Sequence, residues 1–360
     1  MVMVLGVDVH KSTHTVVVVD RTGRRIGERG VRAIDAGHRE LVGWARREFP
    51  GQREWAVEDC RQVSTRLERA LLAAGERVVR VPPKLMAGAR QGARTPGKSD
   101  PIDALAIARA ALREPNLPGA CHDEISRELK LLVDHREDLV GERTRAQNRL
   151  RWHLHELDPE LEVAAGALDR LGVLDRLATQ LSQRLAQLGP GERVGALVAR
   201  LAAELVADIR ALTRRVNALE RQITALSRAA APGLLGLLGA GGLTTAKIVG
   251  ETANITRFRS EACFAMHAGV APIPASSGKT NRHRLARGGN RQLNAALHRI
   301  AITQIRIVGS RGQVYYQRRR AQGDTKKEAL RALKRRLARV VFNLLQPATS
   351  HATDQLPGAA

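Results

Sequence analysis

Cysteine is scarce in this 360-residue chain. Cys60, Cys121 and Cys263 are odd in number, far apart, and form no CxxC pair. That excludes a disulfide framework and a thiolate zinc site. Aromatic residues make up 2% of the sequence, too few for base stacking to be the main mode of nucleic-acid binding. No apolar run reaches the roughly 18 residues that span a bilayer, and Met1 opens no charged-then-apolar secretory signal. The expectation is a cytoplasmic protein without a membrane partner. Acidic residues are also in deficit: 36 Asp and Glu face 59 Lys and Arg, giving a formal charge of +23. Such an excess favours a polyanionic partner, because each neutralised phosphate releases counterions. Nucleic acid held through its phosphates by Arg leads over an anionic membrane surface.

The length suggests two or three domains. The first third alternates between strand and helix signals. Val2 to Asp8 is an apolar run ending in an acid, and His14 to Asp20 contains four consecutive valines. Arg21-Thr22-Gly23-Arg24 supplies a turn, and a third strand runs to about Val31. Helical spacing over Ala36 to Phe49, a strand at Glu54 to Glu58, a helix over Val63 to Ala74 and a strand at Arg77 to Val81 follow. After Pro82-Pro83 a basic, Gly-containing loop is expected up to Ser99, then a helix with Pro101 in its first turn and Ser99 or Asp100 as its cap. Three strands followed by alternating helix and strand is the order of a ribonuclease-H-like α/β domain.

The middle carries two long apolar stripes. One lies between Asp123 and Leu157, and Asp158-Pro159 and Gly189-Pro190-Gly191 interrupt the chain before the second. The other comprises Leu197, Leu201, Leu205, Ile209, Leu212, Val216, Leu219, Ile223 and Leu226, at spacings of three and four. This is a heptad pattern, so a helical hairpin or coiled-coil arm is expected, packing within one chain or joining it into a homodimer or homotetramer. Leu234 to Gly250 resembles a helix-hairpin-helix, whose glycines allow backbone to approach phosphate. A loop over Ala271 to Gly289, a helix over Asn290 to Val308 and a basic helix over Thr325 to Leu345 complete a mostly helical end. The expected division is 1–115, 116–229, 230–347 and a disordered tail at 348–360.

Four acids stand out. Asp8 and Glu58 each end a strand, and Asp100 and Asp103, three apart, share one helix face. Asp59 competes with Glu58, but strand alternation sends the two to opposite faces. Singly, each acid has an ordinary explanation as a turn or helix-cap residue. Together they make a set of oxygen donors suited to Mg2+, and two such ions about 4 Å apart clamp the attacking and leaving oxygens of a phosphodiester. His10, Lys11 and His283 lie near these motifs and are read as surface groups.

The segments Gly6-Val7-Asp8-Val9-His10-Lys11, Val57-Glu58 and Lys98-Ser99-Asp100-Pro101-Ile102-Asp103-Ala104 resemble the DEDD motif of insertion-sequence transposases related to Piv-type DNA invertases. Phe264 to Pro272, Ser276-Ser277-Gly278-Lys279 and Arg287 to Leu293 resemble that family's second half. The resemblance implies a RuvC-like domain, a coiled-coil arm and a C-terminal transposase domain. It also implies Mg2+ on the carboxylates, donor and target DNA as partners, and a structured bridge RNA encoded by the element. A serine would attack DNA and form a phosphoserine link. By position that serine is Ser277, with Ser276 the alternative. Lys279, Arg282, Arg284 and Arg287 surround it and could hold phosphate. Residues alone also allow a basic loop that merely grips the backbone, a metal-dependent junction endonuclease using water, or a binding scaffold without activity.

Overall fold

The computed structural model describes residues 2–58, 63–91, 99–114, 117–161, 163–164, 166–276, 283–284, 286 and 288–347. The chain divides into two compact units, one drawn from Met1–Glu124 and Thr252–Ala360, the other Ile125–Glu251.

The first unit opens with β1 (Met3–Val9), β2 (Thr13–Val19), β3 (Arg25–Arg32), α1 (Asp35–Glu48), β4 (Arg53–Glu58), α2 (Thr65–Ala73) and β5 (Arg77–Val81). The sheet order is β3-β2-β1-β4-β5. The first three strands are antiparallel, and β4 and β5 run parallel to β1. This is the ribonuclease-H-like order expected from the sequence, with strand ends displaced by a residue or so. Between β2 and β3 the turn is fixed by Asp20, whose carboxylate accepts from the Thr22 and Arg24 amides at 2.8 and 3.1 Å. β3 is an edge strand, with exposed Arg25, Glu28 and Arg32 hindering further pairing.

The valine runs of β1 and β2 are continuous because both faces of the sheet are covered. On one face α1 and α2 pack over Leu5, Val7, Val16, Val18, Trp55 and Val57. On the other lie α3 (Pro83–Gln91) and α4 (Asp100–Arg113), over Val4, Val17, Val19, Ala56, Val79 and Val81. Full burial of each Val, Leu or Ile side chain is worth about 1.5–3 kcal/mol. α3 corrects the expected loop: Pro83 starts a helix, a position where its missing N–H costs nothing, and Met86 and Ala89 are buried. Residues 92–98 of that loop lie outside the described set.

The second unit holds α5 (Glu124–Leu157), α6 (Leu171–Gln187), α7 (Arg193–Ala230), α8 (Pro232–Leu235) and α9 (Gly242–Thr252), except for the residues at its two edges. α5 and α7 match the two expected helices. α6 is an addition, lying where the reading of the sequence placed only breaks. The three pack around Ala146, Leu150, Leu154, Leu174, Leu177, Leu181, Ala202, Val206 and Ile209. The seam of α7 keeps Ile209, Val216 and Ile223 of the expected stripe and otherwise shifts to smaller residues. Ala199, Ala202, Val206, Thr213 and Ser227 are buried, whereas Leu197 and Leu201 remain 48% and 37% exposed. Small and hydroxylated residues let helices approach closely, and a scan for large apolar residues passes over them. Gly242 and Gly250 serve packing too: a Cβ on Gly242 would meet Thr224 Oγ1 at 2.4 Å, and one on Gly250 would meet Lys130 at 3.0 Å.

The first unit resumes with α10 (Glu261–His267), a small antiparallel ribbon of β6 (Ile273–Pro274) and β7 (His283–Arg284), α11 (Arg291–Arg306), α12 (Arg311–Ala321) and α13 (Lys326–Leu345). α13 begins with a capping box between Thr325 and Glu328. Cys121 and Cys263 are free thiols. Cys60 and the tail at 348–360 lie outside the described residues. Among those described, no helix is long and apolar enough to cross a membrane.

Candidate metal centre and serine loop

The centre is built by the close approach of α4 to β1. Gly6 makes that approach feasible: a Cβ there would lie 2.1 Å from Ala104 O and 2.5 Å from Ala108 N. Side chains two apart on a strand share a face, so Asp8 points to the same side as Gly6. Asp100 and Asp103 occupy the first turn of α4, one turn before Ala104. Pro101 fits that turn, and Ser99 takes the cap position without a side-chain cap bond.

Asp8 is 5% exposed. Its Oδ2 lies 3.2 Å from His10 Nε2, and the same nitrogen lies 3.6 Å from Asp100 Oδ1. One ligand atom from each of Asp8, His10 and Asp100 falls within 4.8 Å of the others. Burial pushes the Asp8 carboxyl above its usual range, His10 opposes this, and the charges of Asp103 and Asp100 push it further up. Asp103 is 7% exposed. Glu58 stands on the neighbouring strand. Val7 pairs with Val57, so Asp8 and Glu58 sit at the next level, on the same face. Glu58 is half-buried and is not among the three donors grouped above.

Crowded carboxylates, one buried and held back from ionising, fit a cation-binding role. A divalent ion replaces mutual repulsion by shared attraction. His10 is the member that sequence reasoning set aside. Its signal was the Asp-x-His spacing at a strand end, which turns both side chains one way. Lys11 is exposed at the same corner.

The opposite face of the sheet carries its own buried polar groups. Glu68, fully buried, accepts from Arg80 at 2.7 and 3.2 Å and from Ser64 Oγ at 2.6 Å. His14 and His38 meet through their Nε2 atoms at 3.2 Å, both buried. Burial pushes His14 down to about 4, with the neighbouring His38 adding to the shift.

In the C-terminal part, Ser276 is exposed beside the β6–β7 ribbon. Arg284 lies on β7, paired with Ile273, and His283 is exposed beside it. Ser277, Lys279, Arg282 and Arg287 lie outside the described residues, as does Asp59. Asn290 caps α11 by accepting from the Gln292 and Leu293 amides at 2.9 and 3.0 Å.

Comparison with known proteins places this architecture. A family profile described as a transposase, of the IS110 DEDD type, matches residues 5–159. A second, described as the transposase IS116/IS110/IS902 family, matches residues 232–317. The IS116 insertion-element protein of Streptomyces clavuligerus is 30% identical across 95% of this chain and 94% of its own length. The IS900 insertion-element protein of Mycobacterium paratuberculosis is 28% identical, covering 95% of each. The structure of Thermus RuvC with a Holliday junction covers 33% of this chain at 18% identity, with a TM-score of 0.26, a likeness too slight to add to the topology. The chain belongs to the IS116/IS110/IS902 family of insertion-element transposases, enzymes that cut and transfer DNA strands.

Proposed function

We infer that this transposase cuts and rejoins donor and target DNA through a carboxylate-held Mg2+ centre and a serine nucleophile, guided by a structured RNA from its element. The observation that carries the reading is the convergence of Asp8, His10 and Asp100 at one end of the sheet, with their donors within 4.8 Å. Asp103 and Glu58 share the same side and complete the donor set. Mg2+ bound there would neutralise phosphate charge and orient the scissile bond.

The serine is the second half of the reaction. Its Oγ forms a bond to phosphorus while the bond from phosphorus to a deoxyribose oxygen breaks, and the serine proton passes to that leaving oxygen. Ser277 is the assigned nucleophile and Ser276 the alternative. Lys279, Arg282, Arg284 and Arg287 hold the phosphate, as charge-assisted donors do. The residues of the acidic centre and of the serine loop fall within the same compact unit, where Arg257 Nη1 reaches Gly119 O at 3.5 Å. That supports one composite site. The half-exposed Leu212, Leu219 and Leu226, spaced by sevens on α7, support assembly of two or four copies through the arm.

The test is denaturing electrophoresis of the protein with Mg2+, its RNA and labelled donor DNA. The expected result is a covalent adduct that disappears in the Ser276→Ala, Ser277→Ala double variant and in Asp8→Asn, with DNA binding retained. An undiminished adduct in the double variant removes serine chemistry. Cleavage to free ends without any adduct favours a water-using endonuclease instead.

A further inference from the structure

The loop carrying the two serines is closed at its base by backbone. A Cβ on Gly289 would lie 2.2 Å from Gly269 N and 2.3 Å from Gly269 Cα. The two ends of the segment 270–288 therefore touch. Gly269 adopts φ +66°, a conformation in which a side chain is strained. Asn290 N donates to His267 O at 2.6 Å, and Val270 N to Ala265 O at 2.9 Å. Between these ends lie the β6–β7 ribbon and Ser276-Ser277.

Asn294 grips this neck from α11. Its Nδ2 donates to Ala268 O at 3.0 Å and to Gly269 O at 2.9 Å. Its Oδ1 accepts from Lys334 Nζ of α13 at 2.5 Å. Lys334 is 7% exposed, an unusual location for an ammonium. An ammonium has donors only, so it dictates the orientation of the amide. Oδ1 must face Nζ, and Nδ2 must then face the two carbonyls. A residue that both donated and accepted would leave the amide free to flip.

We propose that Asn294, oriented by Lys334, is a positioning residue that locks the neck of the serine loop and fixes where the serine is presented. The proposal rests on the serine reading above. It names no contact between Asn294 and DNA.

Asn294→Asp separates positioning from folding. Aspartate still accepts from Lys334, and more strongly, but sets a carboxylate oxygen against two carbonyls in place of a donor. Lys334→Met, which keeps the apolar stem and removes the ammonium, is the second variant. Both are compared with wild type as full-length protein. Hydrogen exchange would be measured at the Val270, Ala271 and Asn290 amides, and covalent adduct formation with donor DNA at fixed Mg2+ and RNA. In Asn294→Asp, exchange at the neck should accelerate at least tenfold and adduct formation should slow at least tenfold, with Tm lower by a few degrees at most and non-covalent DNA affinity within error. Lys334→Met should move exchange and adduct formation in the same direction. Unchanged neck exchange in Asn294→Asp overturns the clamp, and faster exchange with a wild-type adduct rate overturns the positioning role. An adduct persisting in the double serine variant identifies failure of the serine reading instead, and the neck is then decided by exchange alone.

Discussion

Replacing Gly6 by Ala should weaken the metal centre without touching any acid. The added Cβ would sit 2.1 Å from Ala104 O, 2.5 Å from Ala108 N and 2.8 Å from Ala108 Cβ. Two of these are backbone atoms of α4, which cannot rotate away as a side-chain tip could. To reach a tolerable contact α4 must retreat from β1 by about 1 Å, and a misplacement of that size can cost on the order of 100-fold in rate. Asp100 and Asp103 ride on the same helix, so they move away from Asp8. Overpacking costs about 1–3 kcal/mol, and the lower entropy cost of ordering Ala rather than Gly returns about 0.5–1 kcal/mol. The net loss of stability should be about 1–2 kcal/mol, a Tm lower by a few degrees. Titration calorimetry with Mn2+ or Mg2+ should show at least tenfold weaker binding. Gly30→Ala is the control, because a Cβ there meets nothing within 4 Å. Wild-type Tm and wild-type cation affinity in Gly6→Ala would mean that the approach of α4 to β1 does not set the geometry of the centre.

Two further outcomes follow from the opposite face of the sheet. His14 is held at about 4 when folded against 6.5 as a free side chain, so the folded state binds fewer protons. Stability from this group is complete above pH 6.5 and falls as pH drops toward 4, by about 3 kcal/mol for a group this buried. Urea unfolding across that interval should show the loss, and a His14→Gln, His38→Gln variant should flatten it; an unchanged slope in the variant discounts the pair. Glu68→Ala leaves the Arg80 guanidinium without its buried carboxylate, which should cost about 3–5 kcal/mol in thermal or urea unfolding. Cation affinity should survive, since Glu68 packs on the far face from α4, and a parallel loss of metal binding would contradict that separation.

Much of this protein could be read from local pattern. Valine runs ending in acids, a turn at Asp20 to Arg24 and helical spacing in α1 and α2 specify an α/β opening, because alternation and turn chemistry act over a few neighbouring residues. The i,i+3 spacing of Asp100 and Asp103 needs only helix geometry. α6 escaped notice because Asp158-Pro159 and Gly189-Pro190-Gly191 look like the ends of a linker. α3 was hidden by Pro82-Pro83, which reads as a stop although Pro83 in fact begins a helix.

Charge balance, the strand and helix periods, and the set of side chains chemically able to hold a cation were all legible in the amino-acid order. Those are properties of single residues and their near neighbours. Packing between distant segments is what joins His10 to Asp8 and Asp100, adds Ala202 and Thr213 to the α7 seam of Ile209, Val216 and Ile223 while leaving Leu197 and Leu201 exposed, and brings Lys334 to Asn294 from another helix. Each of these depends on which backbones approach closely, and that is fixed by small residues such as Gly6 and Gly289, whose effect appears only when a distant segment packs against them.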